Sequence, residues 1–297
     1  LSCIIWTLTI QTTIKYVCVA LRADNHGEGG ILALYALLRR MKRKWIYLLA
    51  IIGASTLLAD GIITPAITVT TAIEGLENIS PNLPVIPITL AIITVIFFVQ
   101  RFGTESIGKP FGVFMLLWFL LLGTVGVIGL TSYPQVLKAF NPYYAIVLLA
   151  KSPQWFLILG AVFLCTTGAE ALYSDLGHCG RKNITLSWAF VKTMLILNYL
   201  GQGAWVLNHE ATALSVNPFY SIMPQGMLVF AIIMATGAAI VASQALISGT
   251  FSVLSEAMNL HFWPRMRIKH PTNVKGQLFI PMINLAMYIG VVLVILL

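Results

Sequence analysis

Eight long apolar stretches, roughly residues 1–21, 46–75, 84–100, 110–131, 155–174, 186–207, 224–255 and 277–297, constrain this chain more than any other feature. An α-helix rises 1.5 Å per residue, so about 20 apolar residues cross a hydrocarbon core of roughly 30 Å. Lipid offers no partner to a peptide N–H or C=O, which leaves helices and closed barrels as the forms that can span it. These runs lack the alternation of a barrel strand, so they predict helices. Composition agrees: 58% of the 297 residues are hydrophobic and 9% are charged, against about a quarter charged in soluble domains. The expected fold is all-α and polytopic, with about eight transmembrane helices and the lipid bilayer as its surroundings. A shorter amphipathic piece, about 30–38, predicts a helix on the membrane surface.

The net charge of +8 does not point to nucleic acid, because the basic residues sit between the apolar blocks. Alternate loops hold Arg22, Arg39, Arg40, Lys42, Arg43 and Lys44, then Arg101 and Lys109, then Arg181 and Lys182, then Arg265, Arg267, Lys269 and Lys275. These are 14 of the 18 basic residues, and the opposite loops hold Lys138 and Lys151. Loops rich in Lys and Arg stay in the cytoplasm. The chain is therefore expected to be a multi-pass protein of the plasma membrane, with its basic loops cytoplasmic and Leu1 near the outer face. Lys15 and Lys192, inside apolar segments, are expected to snorkel. A first residue within one apolar run and a last residue within another are what a fragment of a longer protein would show.

A charged side chain inside a span is costly, so each one needs a reason. Asp60 lies near the middle of the second stretch, in Leu57-Leu58-Ala59-Asp60-Gly61-Ile62-Ile63-Thr64-Pro65-Ala66-Ile67-Thr68. Asp60, Thr64 and Thr68 are spaced i, i+4, i+8, which stacks a carboxylate and two hydroxyls on one helix face. Pro65 has no N–H, so the carbonyl of Gly61 loses its helical partner. Such oxygens can replace the water shell of potassium or sodium. The competing reading has the threonines bonding back to their own helix and Asp60 paired with Lys192.

Glu170 is the second intramembrane acid, with Thr167 at i−3 on the same face. Gly160 and Gly168 weaken the helix around it and permit an unwound stretch. Transporters place ion sites at interrupted helices near the midplane. A carboxyl group taken out of water holds its proton more tightly, which suits it to bind and release a proton near neutral pH. Asp175 and His178, at the cytoplasmic end of this segment, are read as a gate or as helix caps. Cys3, Cys18, Cys165 and Cys179 have no CxxC or His-paired spacing and are read as packing residues. No nucleophile–base pair, zinc-ligand cluster or Walker-type loop is present, so the chain is not expected to be an enzyme or to need a cofactor.

At these residues the chain resembles the KUP/HAK/KT potassium uptake permeases, in their bacterial form. The resemblance rests on Leu21-Arg22-Ala23-Asp24-Asn25 with Gly27-Glu28-Gly29-Gly30-Ile31-Leu32-Ala33-Leu34-Tyr35, on Asp60-Gly61-Ile62-Ile63-Thr64-Pro65-Ala66-Ile67, and on Gly168-Ala169-Glu170-Ala171-Leu172-Tyr173-Ser174-Asp175-Leu176-Gly177-His178. Asn198-Tyr199-Leu200-Gly201-Gln202-Gly203-Ala204 and Ala242-Ser243-Gln244-Ala245-Leu246-Ile247-Ser248-Gly249 extend it. It implies a five-plus-five inverted-repeat fold, APC/LeuT-like, and potassium uptake across the bacterial inner membrane by symport with protons. The family's potassium site lies between its first, third and sixth helices. Carried over by motif, Asp60, Thr64 and Thr68 would be the third-helix contribution, and Thr167 and Glu170 the sixth-helix one. Glu170 and Asp60 would couple protons.

The resemblance places this chain as the second to ninth helices of a partial transmembrane transporter domain, 1–297. The family's first helix, with its Gly-Asp-Ile-Gly-Thr-Ser-Pro-Leu-Tyr motif, and the cytoplasmic C-terminal domain are expected to lie outside it. The implied function then belongs to the full-length protein, for which a homodimer stays open. The alternative from residues alone is a related inverted-repeat transporter for an amino acid or other small organic substrate. A potassium channel would need a Thr-Val-Gly-Tyr-Gly-like loop, which the sequence lacks.

Overall fold

Each of the eight apolar stretches carries helix among its described residues, and in two of them the helix is cut short. The computed structural model describes residues 1–25, 29–41, 43–80, 83–103, 105–169, 171–174, 176–209, 216–271 and 278–297, with the side chains of 105–109, 178 and 225 excepted. Helix α1 spans Ser2–Arg22 and changes pitch as it goes. It is α-helical over Ser2–Thr7, widens to π turns over Leu8–Val19 and tightens to a 3-10 turn over Ala20–Arg22. The hydroxyl of Thr13 donates to the carbonyl of Leu8, five residues back, at 3.3 Å, the reach of a widened turn.

The short helix expected at 30–38 is α2, Ile31–Leu38. The long helices are α3, Lys44–Glu74, α4, Val85–Val99, and α5, Glu105–Ser132. Then come α6, Pro142–Lys151, α7, Trp155–Leu164, and two single turns, α8, Ala171–Ser174, and α9, Leu176–Cys179. The chain continues through α10, Arg181–Asn208, α11, Pro218–Ser221, α12, Leu228–Asn259, and α13, Pro281–Leu296.

Among the described residues, six helices are long and apolar enough to cross a membrane, while α7 and α13 are shorter. The stretch at 155–174 is shortened by a backbone break after Leu164. The last one is shortened by an extended start: Ile280 sits at φ −116°, ψ 98°, and Pro281 opens the helix. Large apolar side chains point outward, among them Leu186 at 76% exposure and Phe156 at 73%. Such a surface suits lipid, and the chain is a polytopic helical membrane protein. Of the cysteines read as packing residues, Cys3 is buried, whereas Cys18, Cys165 and Cys179 are exposed.

The chain divides into two compact units, Leu1–Gly30 with Phe119–Pro224, and Ile31–Trp118 with Gln225–Leu297. In the first, α1 runs along α10 through Leu8, Val17, Leu21, Ile184 and Trp188. Ser2 and Trp6 donate to the carbonyls of Asn141 (2.9 Å) and Phe140 (3.0 Å), fixing the start of α1 beside α6. The second half of α5 meets α10 backbone to backbone. A Cβ on Gly126 would lie 2.4 Å from the carbonyl of Leu197, and one on Gly201 would lie 2.5 Å from that of Gly126. Close approach of this kind drives helix association where lipid removes the hydrophobic effect.

In the second unit α3 packs on α12, α13 and α4. The inner face of α12 is built from small residues, Ala231, Ala235, Ala238, Ala239, Ser243 and Thr250, all buried. Leu32 of α2 is buried with Ala50 of α3 and with Val253 and Ala257 of α12. Asn284 of α13 donates to the carbonyl of Phe97 at the end of α4, at 3.2 Å.

Candidate functional site: the Asp60 turn and the break after Leu164

The turn of α3 around Asp60 departs from a plain helix, because Pro65 lies inside it. Without an N–H, Pro65 leaves the Gly61 carbonyl free of its i+4 partner. Thr64, one turn on from Asp60, donates its hydroxyl to Asp60 Oδ1 at 2.5 Å. Asp60 Oδ2 is buried and has no hydrogen-bond partner. Thr68 donates to the backbone carbonyl of Thr64 at 2.8 Å. The structure therefore joins Asp60 to Thr64 and ties Thr68 to its own helix, as the competing reading expected for that residue. Only the hydroxyl lone pairs of Thr68 remain to accept or coordinate.

A neighbour that sequence reasoning missed completes this turn. A Cβ on Gly61 would lie 2.5 Å from Thr250 Oγ1 of α12 and 3.0 Å from the terminal methyl of Met287 on α13. Gly61 is thus the point where α3 lets another hydroxyl come up to its backbone. Thr250 is 2% exposed and donates to the Leu246 carbonyl at 2.9 Å. The one signal for it was the hydroxyl-rich run Ser248-Gly249-Thr250-Phe251-Ser252 within an apolar helix.

The second feature is the break between α7 and α8. Gly168 adopts φ +92°, whereas Gly160, expected to loosen the helix equally, stays inside α7. The last turn tightens first: Thr166 N–H donates to the Phe163 carbonyl at 2.9 Å and Thr167 N–H to that of Leu164 at 3.3 Å. Both threonine hydroxyls also donate to the Phe163 carbonyl, at 2.9 Å for Thr166 and 3.3 Å for Thr167. Tyr199 of α10, a second residue missed from sequence, donates its hydroxyl to the Cys165 carbonyl at 2.7 Å. Below the break, Tyr173 donates to the carbonyl of Ala23. A Cβ on Gly29 would lie 2.0 Å from the Tyr173 carbonyl. The Leu21–Gly30 and Tyr173–Leu176 motifs thus meet in one unit.

Glu170 and Asp175 lie outside the described residues; His178 falls in α9 with its side chain outside them. Among the described residues, no group of three or more His, Cys, Asp or Glu stands together as a metal site would need. The described oxygens are the half-satisfied Asp60 carboxylate on the continuous helix α3 and, in the other unit, the threonine hydroxyls and backbone carbonyls at the break after Leu164.

Over residues 1–297 the chain matches the family described as the K+ potassium transporter integral membrane domain. It is 55% identical over 301 residues to a protein of Flavobacterium johnsoniae named as a probable potassium transport system protein Kup, covering 98% of this chain and 46% of that one. A protein of the same name from Cytophaga hutchinsonii is 54% identical over 303 residues, covering 100% of this chain and 46% of that protein. A probable potassium transport system protein Kup 1 of Lactococcus lactis is 52% identical over 301 residues, at 98% and 45%. The chain spans about half the length of the curated relatives it matches. No solved structure matches it. The chain belongs to the family of the K+ potassium transporter integral membrane domain.

Proposed function

We propose that the full protein takes up potassium across the bacterial inner membrane by symport with protons, and that this chain supplies the α3 part of its potassium site. One observation carries the reading. Asp60 sits on a membrane-spanning helix with one oxygen held by Thr64 and the other buried without a partner. A buried carboxylate oxygen is costly unless a cation or a proton meets it, and those are the two species a potassium–proton symporter moves. The names borne by the relatives point to the same cargo. The proposed oxygen set is Asp60, Thr64 and Thr68 on α3, with Thr167 and Glu170 added by the family resemblance. Glu170 and Asp60 carry the coupled proton, and Asp175 and His178 form a gate.

The fold proposed is the APC/LeuT-like inverted repeat, and the second unit supports it. There α3 and α4 pack with α12 and α13, and in the five-plus-five scheme that the family resemblance implies these pairs would be the third and fourth and the eighth and ninth helices. The basic loops are cytoplasmic and Leu1 lies near the outer face. The partners in this reading are potassium, protons, the bilayer and a second copy of the full-length protein.

Complementation of a potassium-uptake-deficient bacterium by the full-length protein tests the site. Asp60→Asn and Glu170→Gln are each expected to abolish growth at low potassium and to leave growth at high potassium unchanged. Normal growth of both variants at low potassium would sink the site. Coupling is read in proteoliposomes holding a pH-sensitive dye: external potassium should acidify the lumen, and uptake with no pH change would sink symport.

A further inference from the structure

The turn between α2 and α3 encloses a cleft of about 250 Å³ with a cationic mouth. Arg39, Arg43, Lys44 and the phenols of Tyr35 and Tyr47 line it, over the buried Ile46. The three cations are exposed, and among the described residues none of them is held in an ion pair. Like charges gathered without counter-charge are unfavourable on their own, and an anion relieves them.

The back wall is fixed from the far end of α12. His261 takes the left-handed conformation, φ +63°. The Phe262 N–H donates to the Ala257 carbonyl at 2.8 Å and the His261 N–H to that of Met258 at 3.2 Å. This is a Schellman closure, and it swings the Phe262 ring to 4.9 Å from both Tyr35 and Tyr47. The aromatic trio holds the two phenols in place.

Two further observations choose the ligand. Helix α3 begins after Arg43 with no side-chain cap and no acidic residue in its first turn. Apart from the Ile46 N–H, which donates to the Arg43 carbonyl at 3.2 Å, the first amides and the positive end of a 31-residue helix are therefore free to serve an anion from outside. Beside the cleft, Trp45, Leu48 and Leu49 are 55%, 57% and 54% exposed on a membrane-spanning helix. A soluble anion has no use for that apolar surface.

We propose that this cleft binds the phosphate of an anionic phospholipid headgroup, with the acyl chains lying against Trp45, Leu48 and Leu49. Arg39 and Arg43 offer paired N–H donors to the phosphate oxygens, and Lys44 adds charge at the helix start. The inference rests on the chain spanning a bilayer and not on what it transports.

Native mass spectrometry of the full-length protein in neutral detergent, titrated with phosphatidylglycerol, tests this. The variant Arg39→Gln/Arg43→Gln/Lys44→Gln should weaken binding about a hundredfold, at roughly fivefold for each cation near a phosphate. Arg39→Lys/Arg43→Lys, which keeps the charge and the topology signal, should weaken it about fivefold through loss of the forked donors. Arg181→Gln/Lys182→Gln, in a different basic loop, should stay within about twofold of the wild type, as a discrete site requires. Four outcomes each overturn the proposal: the triple variant binding as the wild type does, the Arg181/Lys182 variant losing as much, phosphatidylcholine binding equally well, or glycerol 3-phosphate and inorganic phosphate displacing the lipid at equal concentration. The last would mark a soluble-phosphate site instead.

Discussion

Thr64 and Thr68 carry the same hydroxyl one turn apart on α3, yet their surroundings separate them. Thr64 donates to a carboxylate, Thr68 to its own helix. A hydrogen bond to a charged group contributes about 1.5–3 kcal/mol, so Thr64→Val should raise the potassium concentration for half-maximal uptake roughly tenfold to a hundredfold. Thr68→Val removes a hydroxyl whose proton is already satisfied within the helix and which offers the cation only a neutral lone pair, so it should shift it less than about threefold. Rubidium uptake by cells expressing the full-length variants measures both; an equal shift for the two would place Thr68 on the cation as firmly as Thr64. The i, i+4 pair was legible from spacing alone. What spacing could not tell is which hydroxyl turns inward to its own backbone, nor that α12 brings Thr250 up to Gly61 from 189 residues further along the chain.

Helices were legible as elements because each needs only a local supply of apolar residues. Breaks were legible only in part: an unwound stretch was expected around Gly160 and Gly168, but which glycine leaves the helix depends on partners from elsewhere. Gly160 and Gly168 are the same residue type in the same run, and only Gly168 leaves the helix. The carbonyl of Cys165, next to that break, is satisfied by Tyr199 of α10, 34 residues on, and a local reading of 155–174 had no access to that bond. The widening of α1 to π turns was likewise invisible in a run of ordinary apolar and hydroxyl residues. The contact of α5 with α10 belongs to this scale. Gly126→Val would force a side chain to within 2.4 Å of backbone atoms, so it should destabilise the full-length protein by about 3 kcal/mol. Fluorescence-detected size-exclusion after a heating series should show the loss, while Gly160→Ala, where a Cβ meets nothing within 4 Å, should behave as the wild type. Equal stability of the two variants would mean that the helices do not approach so closely.

Across the whole molecule, the distribution of lysine and arginine makes a claim that labelling can decide. In a full-length protein freed of all its cysteines, Cys3, Cys18, Cys165 and Cys179 among them, a cysteine at Lys138 should react with a membrane-impermeant maleimide added to intact cells. One at Arg267 should react only after permeabilisation; both positions are exposed. The reverse pattern would invert the topology. Composition and charge together were enough for a polytopic helical protein, since they depend on sums along the chain. The division into two interleaved units was not legible, because each unit draws on two separated parts of the sequence.

The backbone contact of α5 with α10 also has a mechanical side. A seam made of peptide groups has no rotamers to exchange, so its two helices cannot slide by repacking, as shear motions do. They transmit force as one stiff strut. Residues 165–169 are one of the joints of the first unit where no helix continues, and a bend at such a joint would leave that strut intact.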